Sequence, residues 1–128
     1  MLITDRKELE KYDAHHWVWQ GIPGIEVTEK GRIMSITTAK TLQEYMAYNV
    51  SGKYGSWNFP ELTVCAKSGT GEVGGEKKPN ATFAGFVADT ELPLAFVACI
   101  EQGGYGATTC MPIINDVLQA SKQALLGG

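Results

Sequence analysis

Ala39, Leu42, Met46 and Val50 recur at spacings of three and four, which predicts a helix over 37–50 with one buried stripe. Ser35 or Thr37 can cap its start, because either hydroxyl takes an orphan backbone N–H. Gly52 and Gly55 are expected to stop it. Three strand-like runs follow, at 62–68, 81–88 and 94–100, rich in β-branched and aromatic residues and bounded by Gly, Pro and Asp. The five residues between the last two runs, 89–93, predict an antiparallel hairpin. The nearly continuous apolar character of those two runs predicts cover on both sheet faces. The intervening 71–80 stretch is glycine-rich and charged and reads as a connection. Ile114, Val117, Leu118, Ser121 and Leu125 then define the buried face of a closing helix over 108–125, with Pro112 tolerated near its start. The predicted fold is α+β: a three-stranded antiparallel sheet flanked by helices. Residues 1–34 hold no sustained period, although a short strand is expected within 24–28.

Composition removes several function classes. At 128 residues the chain is one modest domain or part of a larger one, long enough to bury a core without disulfides. Its net charge of −3, with 11 scattered Lys and Arg, argues against a nucleic-acid partner. The longest clean apolar run, 94–100, is too short to span a bilayer, and the N-terminus lacks the apolar stretch of a signal peptide. Any export signal is therefore expected upstream. Cys65, Cys99 and Cys110 show neither an even count nor Cys-x-x-Cys spacing, so they read as small buried apolar side chains. His15 and His16 are adjacent, diverge in an extended segment and have no ligand partner at metal-site spacing, so no metal is expected. Gly69-Thr-Gly-Glu-Val-Gly74 has the dinucleotide-binding spacing, but no helix follows it, so no cofactor is expected either. Asn49-Val-Ser and Asn80-Ala-Thr are glycosylation sequons by pattern alone.

The segment that carries chemistry is Cys65-Ala-Lys67-Ser68-Gly69-Thr70. A cation and two hydroxyls end an apolar strand, with a glycine that lets another chain approach. Such an edge can bind an extended peptide by strand addition while its polar groups hold a carboxylate. Lys67-Ser68-Gly69-Thr70 resembles the Lys-Thr/Ser-Gly motif of penicillin-binding proteins and serine β-lactamases. The similarity extends to the preceding helix (Ser35-Ile-Thr-Thr-Ala-Lys-Thr-Leu-Gln-Glu-Tyr-Met), the next strand (Thr82-Phe-Ala-Gly-Phe), the end of the last strand (Ile100-Glu-Gln-Gly-Gly-Tyr-Gly-Ala) and the terminal helix (Pro112-Ile-Ile-Asn-Asp-Val-Leu). These blocks lie in the family's order over 33–125, while 1–32 are unassigned.

The resemblance implies that residues 1–128 are the C-terminal portion of one penicillin-binding transpeptidase domain. In that family a serine attacks the D-Ala-D-Ala end of a peptidoglycan stem peptide, and an amine from a second stem peptide resolves the acyl-enzyme into a cross-link; β-lactams trap the same serine. By position, Lys67 would supply positive potential, Ser68 and Thr70 would face the ligand carboxylate, the Thr70 N–H would donate to the oxyanion, and Gly69 would keep the strand open. Ser68 replaces the commoner threonine but keeps the hydroxyl. The nucleophile is expected elsewhere: Ser35, Ser51, Ser56, Ser68 and Ser121 all lack a lysine three residues on, so the parent protein would be an enzyme and this chain alone would not. Ser56-Trp-Asn58 matches the family's Ser-x-Asn motif literally but lies too close to Lys67 and reads as coincidence.

A serine β-lactamase or D,D-carboxypeptidase, with water as acyl acceptor, shares the strand motif. The terminal helix favours the transpeptidase. A non-enzymatic β-lactam sensor or peptide-binding module is the reading from another class. By resemblance the parent acts at the extracytoplasmic face of the bacterial membrane, with the stem peptide, β-lactams and the rest of the domain as partners. The sheet faces that a partial domain leaves uncovered predict a homodimer or higher assembly that covers them.

Overall fold

The computed structural model describes residue 31 and residues 33–127. The chain divides at Ser35, and the helices and the sheet belong to its second unit, Ile36–Gly128. The short strand expected within 24–28 and the His15–His16 pair lie outside the described residues.

Helix α1 spans Ile36–Tyr48 and runs into a wider π-helical turn, Asn49–Tyr54, then a single 3₁₀ turn, Ser56–Asn58. Strands β1 (Val64–Gly71), β2 (Asn80–Val87) and β3 (Ala95–Ile100) follow, and helix α2 (Gly106–Leu126) closes the order. Both strand pairs are antiparallel and the sheet order is β1-β2-β3, so β1 and β3 are its edges. The α+β fold expected from the hydrophobic pattern is the fold observed. Among the described residues no helix is long and apolar enough to cross a membrane.

Period-2 alternation sorts the sheet into two faces. Val64 and Ala66 of β1, Ala81, Phe83 and Val87 of β2, and Phe96, Ala98 and Ile100 of β3 share the face on which Cys110, Ile114 and Leu118 of α2 pack. Phe83 lies at its centre with no exposed surface. Its ring stacks on Phe59 at 6.3 Å and Phe96 at 6.0 Å between centroids, and meets the Tyr54 ring edge-on at 5.5 Å.

Five expectations need correction. The α1 stripe does not bury: Leu42 is exposed, Ala39 and Met46 are half-buried, and only Val50, already in the π turn, is in the core. Burial starts where the segment reaches β1, so the helical period reported amphipathicity without a surface to receive it. Gly52 does not end the helical segment; Gly55 does, with φ of 96° and its N–H closing a 2.7 Å bond onto Val50 C=O five residues back. The sheet is not covered on both faces: Val97 is 75% exposed, and Ala84, Ala95 and Cys99 are open beside it. Finally, α2 buries Cys110, Ile114 and Leu118 at strict four-residue spacing, whereas Val117 and Leu125 are exposed and Ser121 is half-buried. The strands are six to eight residues long, so they meet only part of a 21-residue helix. Because α2 starts at Gly106, Pro112 falls at its seventh position rather than in its first turn and leaves one helical hydrogen bond unmade.

The two faces predict different mutational costs. Phe83→Ala should destabilise by about 3–5 kcal/mol, as aromatic truncation in a core does. Val97→Thr on the open face should stay within about 0.5 kcal/mol. Urea unfolding of the two variants tests this, and equal costs would show that the open face is covered in solution.

Candidate functional site

The Lys67–Thr70 segment ends the edge strand β1. Register pairs Lys67 with Ala84, Ser68 with Phe83, Gly69 with Thr82 and Thr70 with Ala81. Side chains of directly opposed residues share a face, so Ser68 and Thr70 lie on the face of Phe83 and Ala81, and Lys67 on the other. Backbone polar groups also alternate along a strand. Asn49 Nδ2 donates to the Ala66 carbonyl at 3.1 Å, and the Ser68 N–H donates to the Tyr54 hydroxyl at 2.9 Å. Neither partner belongs to β2, so residues 66, 68 and 70 present their N–H and C=O groups to the outer edge.

Lys67 rejoins that edge despite pointing to the opposite face, because its ammonium donates to the Ser68 carbonyl. The Ser68 hydroxyl lies 2.9 Å from the Tyr54 hydroxyl. The Thr70 hydroxyl accepts a long 3.4 Å bond from the Gly106 N–H at the start of α2. One ammonium, two hydroxyls and the Thr70 N–H therefore line a stretch of edge only three residues long, Ser68 to Thr70. The edge is less open to strand addition than its sequence implies. Asn49 occupies the Ala66 carbonyl, Tyr54 the Ser68 N–H and Lys67 the Ser68 carbonyl, so free backbone for an incoming strand starts at Thr70.

Two glycines allow this packing. A Cβ on Gly106 would lie 2.2 Å from the Gly69 carbonyl oxygen and 2.4 Å from that of Thr82, both backbone atoms that cannot step aside. The first residue of α2 thus rests directly on the Gly69–Thr82 pair. A Cβ on Gly69 would meet the Thr82 hydroxyl at 2.3 Å on the opposite face.

Asn49, Tyr54 and Gly106 are site residues that the sequence alone did not single out. Asn49 carried only a sequon pattern, Tyr54 lay between two glycines read as a helix stop, and Gly106 was one glycine of a loop. Ser56-Trp-Asn58 contributes no polar group to the edge: the Asn58 amide donates to the Tyr54 carbonyl at 2.8 Å and the Gly55 carbonyl at 3.0 Å, which holds the turn. The Gly69–Gly74 run leaves β1 into a loop instead of opening a helix, which removes the dinucleotide reading.

Residues 24–119, three quarters of the chain, match the family described as "Penicillin binding protein transpeptidase domain". The chain belongs to that family. The match covers all three strands and α2 through Gln119, and it begins nine residues before the 33–125 span over which the resemblance is read from the sequence. A search of curated proteins finds no match. Membership supports a function of the penicillin-binding-protein type in general.

Cys65 and Cys110 of this transpeptidase-family chain are not poised to act as nucleophiles. Burial pushes the Cys65 thiol pKa up, and the Asp89 carboxylate adds to the shift; burial, and then Cys99, does the same for Cys110. Both stay neutral thiols where a reactive cysteine would be a thiolate. Cys99 is exposed, contrary to the expectation that all three are buried, because it sits on the open face of β3.

At the far end of α2 a shallow cavity of about 300 Å³ is lined by residues that include Glu61, Asp89, Lys122 and Leu126. Lys122 donates to Glu61 at 2.8 Å and holds that carboxyl below its usual pKa; Asp89 accepts from the Thr63 N–H at 2.8 Å. Each of these charges is engaged by the fold, and none approaches β1's polar edge.

Two measurements follow from this geometry. Gly106→Ala should displace the first turn of α2 and lower the melting temperature by several degrees, consistent with the 1–3 kcal/mol typical of forced overpacking; an unchanged melting temperature would show that α2 does not rest on Gly69. Iodoacetamide should label Cys99 well before Cys65 or Cys110, as read by peptide mass spectrometry. The raised thiols also set a pH sign. The folded state keeps protons that the unfolded chain loses above about pH 8.5, so stability is full below that value and falls as pH rises beyond it.

Proposed function

We propose that this chain supplies the substrate-binding edge of a D,D-transpeptidase that cross-links peptidoglycan stem peptides through an acyl-serine intermediate and binds β-lactams. The observation that carries the reading is the convergence of the Lys67 ammonium, the Ser68 and Thr70 hydroxyls and the Thr70 N–H on one short strand edge. A D-Ala-D-Ala terminus or a β-lactam offers a carboxylate next to a carbonyl that becomes an oxyanion. The two hydroxyls and the ammonium match the carboxylate, and each charge-assisted hydrogen bond is worth about 1.5–3 kcal/mol. The Thr70 N–H matches the oxyanion, a donor whose loss typically costs about 100- to 1000-fold in rate. Gly69 keeps this stretch of strand free of a side chain that would collide with the Thr82 hydroxyl.

The attacking serine is not among the five serines of this sequence by the Ser-x-x-Lys criterion, so the chain binds but does not acylate. It acts with the rest of a transpeptidase domain at the extracytoplasmic face of a bacterial membrane. The open face around Val97 is where the isolated chain would self-associate, which light scattering of the concentrated protein checks: a clean monomer counts against it.

The test is direct. In a ¹H–¹⁵N titration with N-acetyl-D-Ala-D-Ala, shifts should concentrate on residues 67–71, and Lys67→Ala should weaken binding about tenfold or more. Intact mass after incubation with benzylpenicillin should show no adduct on this chain. Shifts confined to another part of the fold would overturn the binding reading. An adduct would reveal a nucleophile outside the Ser-x-x-Lys pattern.

A further inference from the structure

Tyr54 stands beside the edge in a specific way. Its hydroxyl oxygen accepts the Ser68 N–H at 2.9 Å and lies 2.9 Å from Ser68 Oγ. A phenol has one proton to give, and an amide N–H can only donate. The Ser68 N–H already supplies the phenol oxygen with a donor, and among the described residues Ser68 Oγ is the one acceptor in reach of the phenol proton, so donation from Tyr54 to Ser68 Oγ is the arrangement that uses every proton. Ser68 then accepts from Tyr54, and its own proton is left to donate away from the protein. The Gly106 N–H imposes the same polarity on Thr70, since the hydroxyl it donates to keeps its own proton for an outside acceptor.

Tyr54 is held where this arrangement needs it. Its ring meets the buried Phe83 edge-on, its carbonyl accepts from Asn58, and the turn it ends is tied to β1 by Asn49. The hydroxyl is thus fixed by packing that does not depend on a ligand.

We infer that Tyr54 is a positioning residue for ligand recognition: its hydroxyl sets the Ser68 hydroxyl as an outward donor, which gives the edge a preference for a carboxylate over a neutral amide at the same place. A carboxylate only accepts, so it satisfies two outward O–H groups. A primary amide offers a single acceptor oxygen and brings N–H groups that meet them donor to donor. The inference rests on the substrate-edge reading above and adds a residue outside the Lys67–Thr70 motif to it.

The experiment compares N-acetyl-D-Ala-D-Ala with its C-terminal amide by NMR titration of the 128-residue chain and of Tyr54→Phe, which keeps the ring against Phe83 and removes only the hydroxyl. The native chain should prefer the acid by about tenfold, the size expected for a charge-assisted hydrogen bond. In Tyr54→Phe the preference should fall to about threefold, carried by Lys67, while affinity for the amide changes less than about twofold. A Tyr54→Phe chain that keeps the native acid-to-amide ratio overturns the role of Tyr54 and leaves the edge reading intact. A native chain without acid preference overturns both. Should Tyr54→Phe fail to fold, 3-fluorotyrosine at position 54 makes the phenol a stronger donor with the ring in place; the ratio should rise, and an unchanged ratio overturns the inference.

Discussion

The register between β1 and β2 fixes where everything else goes. Phe83 has its ring between Phe59 and Phe96, and Ser68 lies directly opposite it. A slip of one residue would carry Phe83 to the open face and move Ser68 and Thr70 away from Tyr54 and Gly106. Burial of one aromatic residue thus decides which motif residues face Tyr54 and the start of α2. Tyr54 couples the two directly, since its ring packs on Phe83 while its hydroxyl holds Ser68. The core and the polar edge are two consequences of one strand pairing.

The strands and the motif were legible because their signals are local. β-Branched and aromatic runs gave β1, β2 and β3 to within a few residues, and the family resemblance rested on the Lys67–Thr70 motif with four further short blocks in the same order. The buried faces of the helices were less legible, because a helical period says only that one side is apolar. For α1 the partner surface begins at Val50, after the regular helix has ended. For α2 the short sheet receives Cys110, Ile114 and Leu118, while Val117 and Leu125, equally apolar in sequence, are turned or carried past it.

The residues that complete the edge could not be found by pattern at all. Asn49 reaches Ala66 across 17 positions, Tyr54 reaches Ser68 across 14, and Gly106 reaches Thr70 across 36. None of these pairings leaves a periodic trace. Gly106 is required only because two backbone carbonyls lie where its side chain would be, a constraint that exists once α2 is docked. Sequence reports what a residue can do, and the packing reports which of those capacities is already in use.

That distinction changes what the edge can bind. Read as a bare strand, β1 offers backbone groups from Ala66 onward to any extended peptide. With Asn49, Tyr54 and Lys67 engaged along it, pairing is withheld until Thr70, and a strand with no terminal carboxylate gains little from docking there. The groups left over are mostly donors: two hydroxyl protons, an ammonium and the Thr70 N–H, against the single Thr70 carbonyl. On the proposed reading, an edge that has engaged most of its acceptors internally and turned its donors outward suits the anionic end of a chain rather than its middle. In the function proposed above, blocking the backbone is part of recognition, because it converts a generic pairing edge into one that asks for charge.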